Sequence, residues 1–263
     1  MDKIFLFSFI TSFSLFACQK EEISLVSGED LVIIETAIGD VFRTADEQVK
    51  NEDLFRSLSS CAMVTISPFD TVTFPKTVII DFGPINCLGT DGRYRRGKIN
   101  INMSDRYRNT GSQLTIIPEN YYVNDYQVMG NHTLINNGIN TNGNISFTAS
   151  TTDAKVIAPN ADEILWNSTR TNEWIEGYAT TSPLDDVYSI TGTGNGVNHE
   201  GTVFNVLITS ALIKEIFCRW IKKGTIEISN ADGQSALIDY GNGTCDDQAT
   251  LTIGSKTINI NLK

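Results

Sequence analysis

Two histidines, His132 and His199, are all the imidazole chemistry that this 263-residue chain offers. Each sits in a polar stretch near glycine, the setting of solvated loop residues. Neither has a nearby nucleophile in a Gly-x-Ser-x-Gly turn, and no His-Glu-x-x-His or phosphate-binding glycine loop is present. Carboxylates are more plentiful: Asp162-Glu163, Glu173, Glu176, Asp185-Asp186 and Asp246-Asp247. Glycoside hydrolysis needs two of them facing each other at about 5 to 10 Å. Most of these acids flank predicted turns, where aspartate favours the backbone geometry on its own account. The sequence therefore assigns no catalytic residue and no cofactor, and a carboxylate-dependent glycoside hydrolase is the last of three functional readings.

Binding chemistry is better represented. In Trp166-x-Ser168-x-Arg170-x-Asn172-x-Trp174 a continuous strand puts two tryptophans and an arginine on one face. That face is either a platform for stacking sugar rings, with Arg170 bonding hydroxyls, or a core with the arginine stacked between the rings. Tyr121, Tyr122 and Tyr126 pose the same alternative. Asp239, Asn242 and Asp246 are closely spaced oxygens in a glycine-rich loop and hence weak calcium candidates. Their spacing does not match an EF-hand, so a structural turn is the simpler reading and no metal is assigned.

Cysteine-bracketed hairpins, written twice, organise the chain. The second copy opens with a predicted strand at Cys218-Arg219-Trp220-Ile221 and turns near Asp232-Gly233. It returns through Asp239-Tyr240-Gly241 to Cys245 and ends at Ile258–Leu262. The first opens at Cys61, returns through Asp81-Phe82-Gly83 to Cys87, and ends at Ile99–Met103. Cys218 and Cys245 are symmetric about the turn between Ala231 and Asp232, and Cys61 and Cys87 about Phe74. An unbroken register then sets each pair face to face across its ladder, predicting disulfides Cys61–Cys87 and Cys218–Cys245. A four-thiolate zinc site lacks any Cys-x-x-Cys spacing.

The elements follow from periodicity. Residues 19–29 read as a tether. Residues 30–60 read as helical, since Leu31, Ile34, Ile38, Phe42 and Ala45 recur every three or four positions. Thr44-Ala45-Asp46-Glu47 resembles the capped start of a second helix. From 61 to 263 the period falls to two, and Asn-Gly or Asp-Gly pairs recur at 91, 137, 142, 195, 232 and 242. The expected fold is all-β: an antiparallel meander forming a sandwich or a curved open sheet, with related modules at 61–103 and 218–262 and a short N-terminal helical segment. Ala211–Trp220 is ambiguous between helix and strand.

Residues 1–18 read as an export signal. Lys3 supplies the charge, and the apolar core from Ile4 to Phe16 is too short to remain as a membrane span. It ends in Leu15-Phe16-Ala17-Cys18, which resembles the bacterial lipobox. That resemblance implies cleavage before Cys18 and acylation, palmitate included, of the new terminus, so that the membrane is reached through lipid. Lys20-Glu21-Glu22 is similar to the export tag of surface lipoproteins of the Bacteroidota, which implies an outer-membrane anchor facing the exterior. The net charge of −11 argues against nucleic acid as a partner, because phosphate binding needs clustered Lys and Arg.

With those signals, Asp81-Phe-Gly, Cys87, Asp91-Gly-Arg-Tyr-Arg-Arg-Gly-Lys98, Trp166-Asn-Ser-Thr-Arg-Thr-Asn-Glu-Trp174 and Cys218-Arg-Trp-Ile221 together resemble an uncharacterised surface-type lipoprotein family of the Bacteroidota. The resemblance implies a compartment and carries no activity. The leading expectation is a non-enzymatic surface lipoprotein that binds a glycan or an envelope partner. The second is a periplasm-facing protein whose curved sheet holds a lipid or a partner. A large apolar concave face favours the second; exposed tryptophans favour the first.

Overall fold

The computed structural model describes residues 23–50, 62–180 and 182–262. One helix, α1 (Ile23–Val49), precedes fourteen strands: β1 (Met63–Ser67), β2 (Lys76–Asp81), β3 (Cys87–Leu88), β4 (Tyr94–Met103), β5 (Gln113–Val123), β6 (Tyr126–Ile139), β7 (Ile145–Ile157), β8 (Glu163–Glu176), β9 (Val187–Val197), β10 (Val203–Glu215), β11 (Lys223–Asn230), β12 (Ser235–Asn242), β13 (Gln248–Ile253) and β14 (Lys256–Asn261). They form one open antiparallel sheet in sequence order, from β1 to β14, with β3 set aside against β4. The expected meander is present, and as an open sheet.

The helix explains the curvature. α1 packs on β4, β5, β6 and β8 and also on β11, β12 and β13. A flat sheet would carry β4 and β13 about 40 Å apart, at about 4.8 Å per strand. A helix is only about 10 Å across, so the sheet must wrap around it. The burial of α1 agrees: between residues 26 and 50 only Glu29 and Gly39 are exposed. A helix covered all round is a core element and not a surface one. It is also not long and apolar enough to cross a membrane, and neither is any other described helix.

Its length differs from the sequence expectation. α1 begins at Ile23, inside the expected 19–29 tether, and runs without a break through Thr44-Ala45-Asp46-Glu47, so no second helix starts there. Those polar residues are not caps; Asp46 bonds Tyr107 across the interior. The remainder of the expected helical segment, 51–60, lies outside the described residues, as do Cys18, the tag Lys20, Glu21 and Glu22, and Cys61.

The repeat survives as a local turn. Asp81 Oδ1 accepts from the Gly83 amide at 2.8 Å, and Asp239 Oδ1 from the Gly241 amide at 2.8 Å. Both glycines have positive φ, +76° and +87°, a conformation that costs glycine little. The aromatic residue between, Phe82 or Tyr240, is turned into the core in each copy. Beyond that turn the copies diverge: Ile99–Met103 pairs with β2, whereas β14 pairs with β13 rather than β12.

The disulfide Cys218–Cys245 forms as expected, with 5.8 Å between Cα atoms, but off the ladder. Cys218-Arg219-Trp220-Ile221 is loop, and β11 starts only at Lys223. The register centres on Asp232, and a bulge follows between Lys223 and Thr225. Cys87 is also disulfide-bonded, and its expected partner Cys61 lies outside the described residues. There the ladder β1–β2 centres on Val72, as Ser67 faces Thr77, and not on Phe74. Two of the six glycine pairs are not hairpin turns. Gly138 sits in a bulge of β6. Gly196 lies within β9, where a Cβ would come within 2.9 Å of Phe204. Ala211–Trp220 resolves into the end of β10 and the loop that holds Cys218.

Candidate binding cavity between helix and sheet

α1 and the sheet enclose between them a cavity of about 220 Å³. Its helix side centres on Val32, Glu35, Gly39, Phe42, Arg43 and Asp46, with Ile34, Thr36, Ile38 and Asp40 beside them. Those spacings of three and four follow from the helical period. Gly39 keeps the space open, since a Cβ there would find nothing within 4 Å. A glycine in mid-helix costs about 1 kcal/mol relative to alanine, so its place beside a void is not a gain for the helix itself.

The sheet side comes largely from β7 and β8. Phe147, Ala149 and Thr151 alternate along β7, and the two small side chains leave room. On β8 the stripe Trp166, Ser168, Arg170, Asn172 and Trp174 does share one face, as the spacing predicts, and that face points inward. The sugar platform is therefore overturned: Trp166 and Trp174 are 1% and 0% exposed. The bulky groups of β8 are admitted by the glycine row of β9. A Cβ on Gly194 would lie 2.4 Å from the Trp166 ring. Trp166 stacks on Phe204 at 5.8 Å, and Trp174 on Tyr188 at 5.8 Å. Arg170 is not sandwiched between the tryptophans; it forms a two-pronged ion pair with Glu35 of the helix.

That pair is one of a series. Asp30 accepts from the His199 backbone amide at 2.8 Å and meets its Nδ1 at 2.9 Å. Asp40 accepts from Arg95 Nη2 at 2.6 Å and from the Tyr121 hydroxyl at 2.6 Å. Lys50 donates to Asp186 at 2.5 Å and to the Tyr188 hydroxyl at 2.7 Å. Asp30, Glu35 and Asp40 of α1, and Lys50 just after it, thus each dock on a different strand or loop. The Asp40 carboxyl is pushed up by burial, yet Arg95, Arg43 and Arg93 outweigh this and hold it well below the usual carboxylate range.

Unpaired buried polar atoms then concentrate at one place. Among the described residues, the buried side-chain polar atoms without a hydrogen-bond partner belong to Arg43, Arg93, Arg170, Asn172, Arg219, Trp220, Tyr240 and His132. All but His132 line this cavity. Buried polar groups are nearly always paired, and each exception costs about 1–3 kcal/mol. Their concentration around one void marks it as the candidate binding site.

The other expected residues fall elsewhere. His132 is not a loop residue but fully buried on β6, its Nδ1 3.1 Å from the Thr151 hydroxyl and its ring edge-on to Phe42. Burial alone brings its pKa down to about 4. His199 does lie in a loop, and its pKa is raised by the hydrogen bond to Asp30. Tyr121 is core, while Tyr122 is half-buried with Arg96 over its ring at 3.7 Å. Asp239, Asn242 and Asp246 each spend an oxygen on their own turn, accepting from Gly241, Thr244 and Gln248. No group of three or more His, Cys, Asp or Glu is placed to hold a metal among the described residues. Of the acids weighed for glycoside hydrolysis, Glu163 pairs with Lys155 and Glu173 accepts from Asn142 and Asn144. The carboxylates that do line the cavity, Glu35, Asp40 and Asp46, are each engaged by a cation or a phenol.

Sequence reasoning missed Glu35, Arg43, Arg93, Lys214, Arg219 and Tyr240. A signal existed in Glu35 and Asp40, acids set within the apolar period of a helix that the sheet encloses. Compared with known proteins, the chain matches no family, no curated protein and no solved structure.

Proposed function

We propose that this protein is a lipid-anchored, non-enzymatic binding protein whose helix–sheet cavity holds an amphipathic small molecule. One observation carries the reading: the unpartnered buried polar atoms gather around a single, mostly apolar cavity. Its wall offers Val32, Ile38, Phe42, Leu134, Phe147 and Ile190 to an apolar body, and several N–H and O–H groups to a polar end. About 220 Å³ lies below the roughly 300 Å³ at which pockets for drug-sized ligands begin. The volume suits one short acyl chain or a ring system and not a two-chain phospholipid. The concave, apolar side of the sheet supports lipid holding over glycan binding, since Trp166 and Trp174 are withdrawn from the surface. Anchorage through Cys18 to the outer membrane remains part of this reading on the strength of the lipobox and the Lys20-Glu21-Glu22 tag.

The test is titration of the purified protein with N-phenyl-naphthylamine, a neutral apolar fluorophore. Saturable binding in the parent and its loss in Gly39→Phe, with melting unchanged, is the expected result. Equal binding by both proteins removes the cavity from consideration.

A further inference from the structure

The cavity is not electrically neutral along its length. Near one end, Arg170 is matched by Glu35. At the other, Arg43, Arg93, Lys214 and Arg219 converge from α1, the turn before β4, β10 and the loop after it. Arg93 Nη2 reaches the Arg219 carbonyl at 3.5 Å, and Lys214 Nζ donates to the carbonyls of Cys218 and Trp220 at 2.5 and 3.3 Å. The carboxylates here are Asp40, Asp91 and Glu47. Asp91 is shared by Arg43, Arg93 and Arg95, Asp40 by Arg43, Arg95 and, at 3.7 Å, Arg93, and Glu47 is held by Arg43. Among the described residues, neither Lys214 nor Arg219 has a carboxylate partner. The indole N–H of Trp220 and the Nε–H groups of Arg43, Arg93 and Arg219 are buried without acceptors.

Every one of those orphan groups is a donor. A neutral polar ligand would satisfy donors and acceptors alike; this cluster asks for an acceptor that carries negative charge. Hydrogen bonds from cationic donors to an anion are about twice as strong as neutral ones, and like cations in a partly buried cluster repel until an anion arrives. The protein as a whole is acidic, so the positive end is local and not a by-product of composition.

We propose that Lys214, Arg219, Arg93 and the Trp220 indole form the seat of an anionic head group, with a single apolar chain extending along Phe42, Phe147 and Ile190. This rests on the reading of the cavity as a binding site and goes beyond it in naming the charge and its position. The Lys214 pKa, brought down to about 7 by burial and by Arg93 and Arg43, fits a site that takes up a proton with its anion.

The experiment is displacement of N-phenyl-naphthylamine from the full chain by laurate, dodecanol and dodecyltrimethylammonium, repeated in Lys214→Met and Arg219→Gln. Laurate is expected to bind about tenfold or more tightly than dodecanol, with the cation weakest, and added salt to weaken laurate alone. Arg219→Gln removes most of the laurate advantage over dodecanol. It serves even if Lys214→Met, which also frees two carbonyls, fails to fold. Dodecanol binding as well as laurate overturns the head-group seat while the cavity reading stands. If neither displaces the probe, both fall. Displacement by inorganic phosphate alone, as effective as by laurate, also overturns the proposal, because it leaves the chain no part.

Discussion

Asp40 shows how much one buried side chain can hold in this protein. It is the acceptor for Arg95, Arg43 and Tyr121 and neighbours Arg93, with no side-chain exposure. Removing one partner of a buried pair strands the others, at about 3–5 kcal/mol. Asp40→Asn is therefore expected to lower the free energy of unfolding by about that amount in a denaturant titration. A loss below about 1 kcal/mol means that Asp91 alone suffices for the arginines. His132 provides a pH test. Its folded pKa of about 4 lies below the ordinary 6.5 because burial disfavours the imidazolium. The unfolded chain thus binds a proton that the folded chain refuses between those values. The associated stability is fully present above pH 6.5 and is lost as pH falls toward 4, by at most about 3 kcal/mol. Comparing unfolding free energies at pH 7 and pH 4 in the parent and in His132→Leu should show a shallower slope in the variant. An unchanged slope assigns the acid sensitivity to carboxylates such as Asp40 instead.

At the scale of elements, the loop between β10 and β11 is the part most closely tied to the site. It carries Arg219 and Trp220 into the cavity wall and is pinned by Cys218–Cys245 and by Lys214. The cystine spans 27 residues of sequence, for which loop-closure arguments give about 3.5 kcal/mol of stabilisation. Replacing both cysteines with serine is expected to lower stability by about 2–4 kcal/mol. It should also weaken probe binding more than a remote mutation of equal cost, because the loop loses its anchor. Equal weakening by both would make the loop a bystander. The helix carries the complementary prediction. Gly39→Ala should raise stability by about 0.5–1 kcal/mol, since its Cβ points into open space. A loss of stability in thermal melts would show that the space is needed to accommodate packing there.

For the whole molecule the question is where it works. Proteinase treatment of intact cells, with a periplasmic control, should digest the body if the export tag is read as proposed. Protection places the cavity in the periplasm and makes an envelope lipid the first ligand to seek. Much of this architecture was legible before any coordinates. The period of two from residue 61 onward and the turn pairs such as Asn142-Gly143 rest on local backbone rules, and local rules can be read along a line; Cys218 does pair with Cys245, but from a loop that the hairpin register does not describe. The shared face of Trp166, Arg170 and Trp174 was legible for the same reason. Which way that face points was not, because an inward and an outward stripe have the same alternation. Only the wrapping of the sheet around α1 decided it, and that wrapping also turned Asp30, Glu35, Asp40 and Lys50 from helix-surface charges into docking groups for distant strands. The cavity belongs wholly to tertiary structure. Its cations come from residues 43, 93, 214 and 219, whose meeting depends on long-range strand order, and no spacing along the chain records a void.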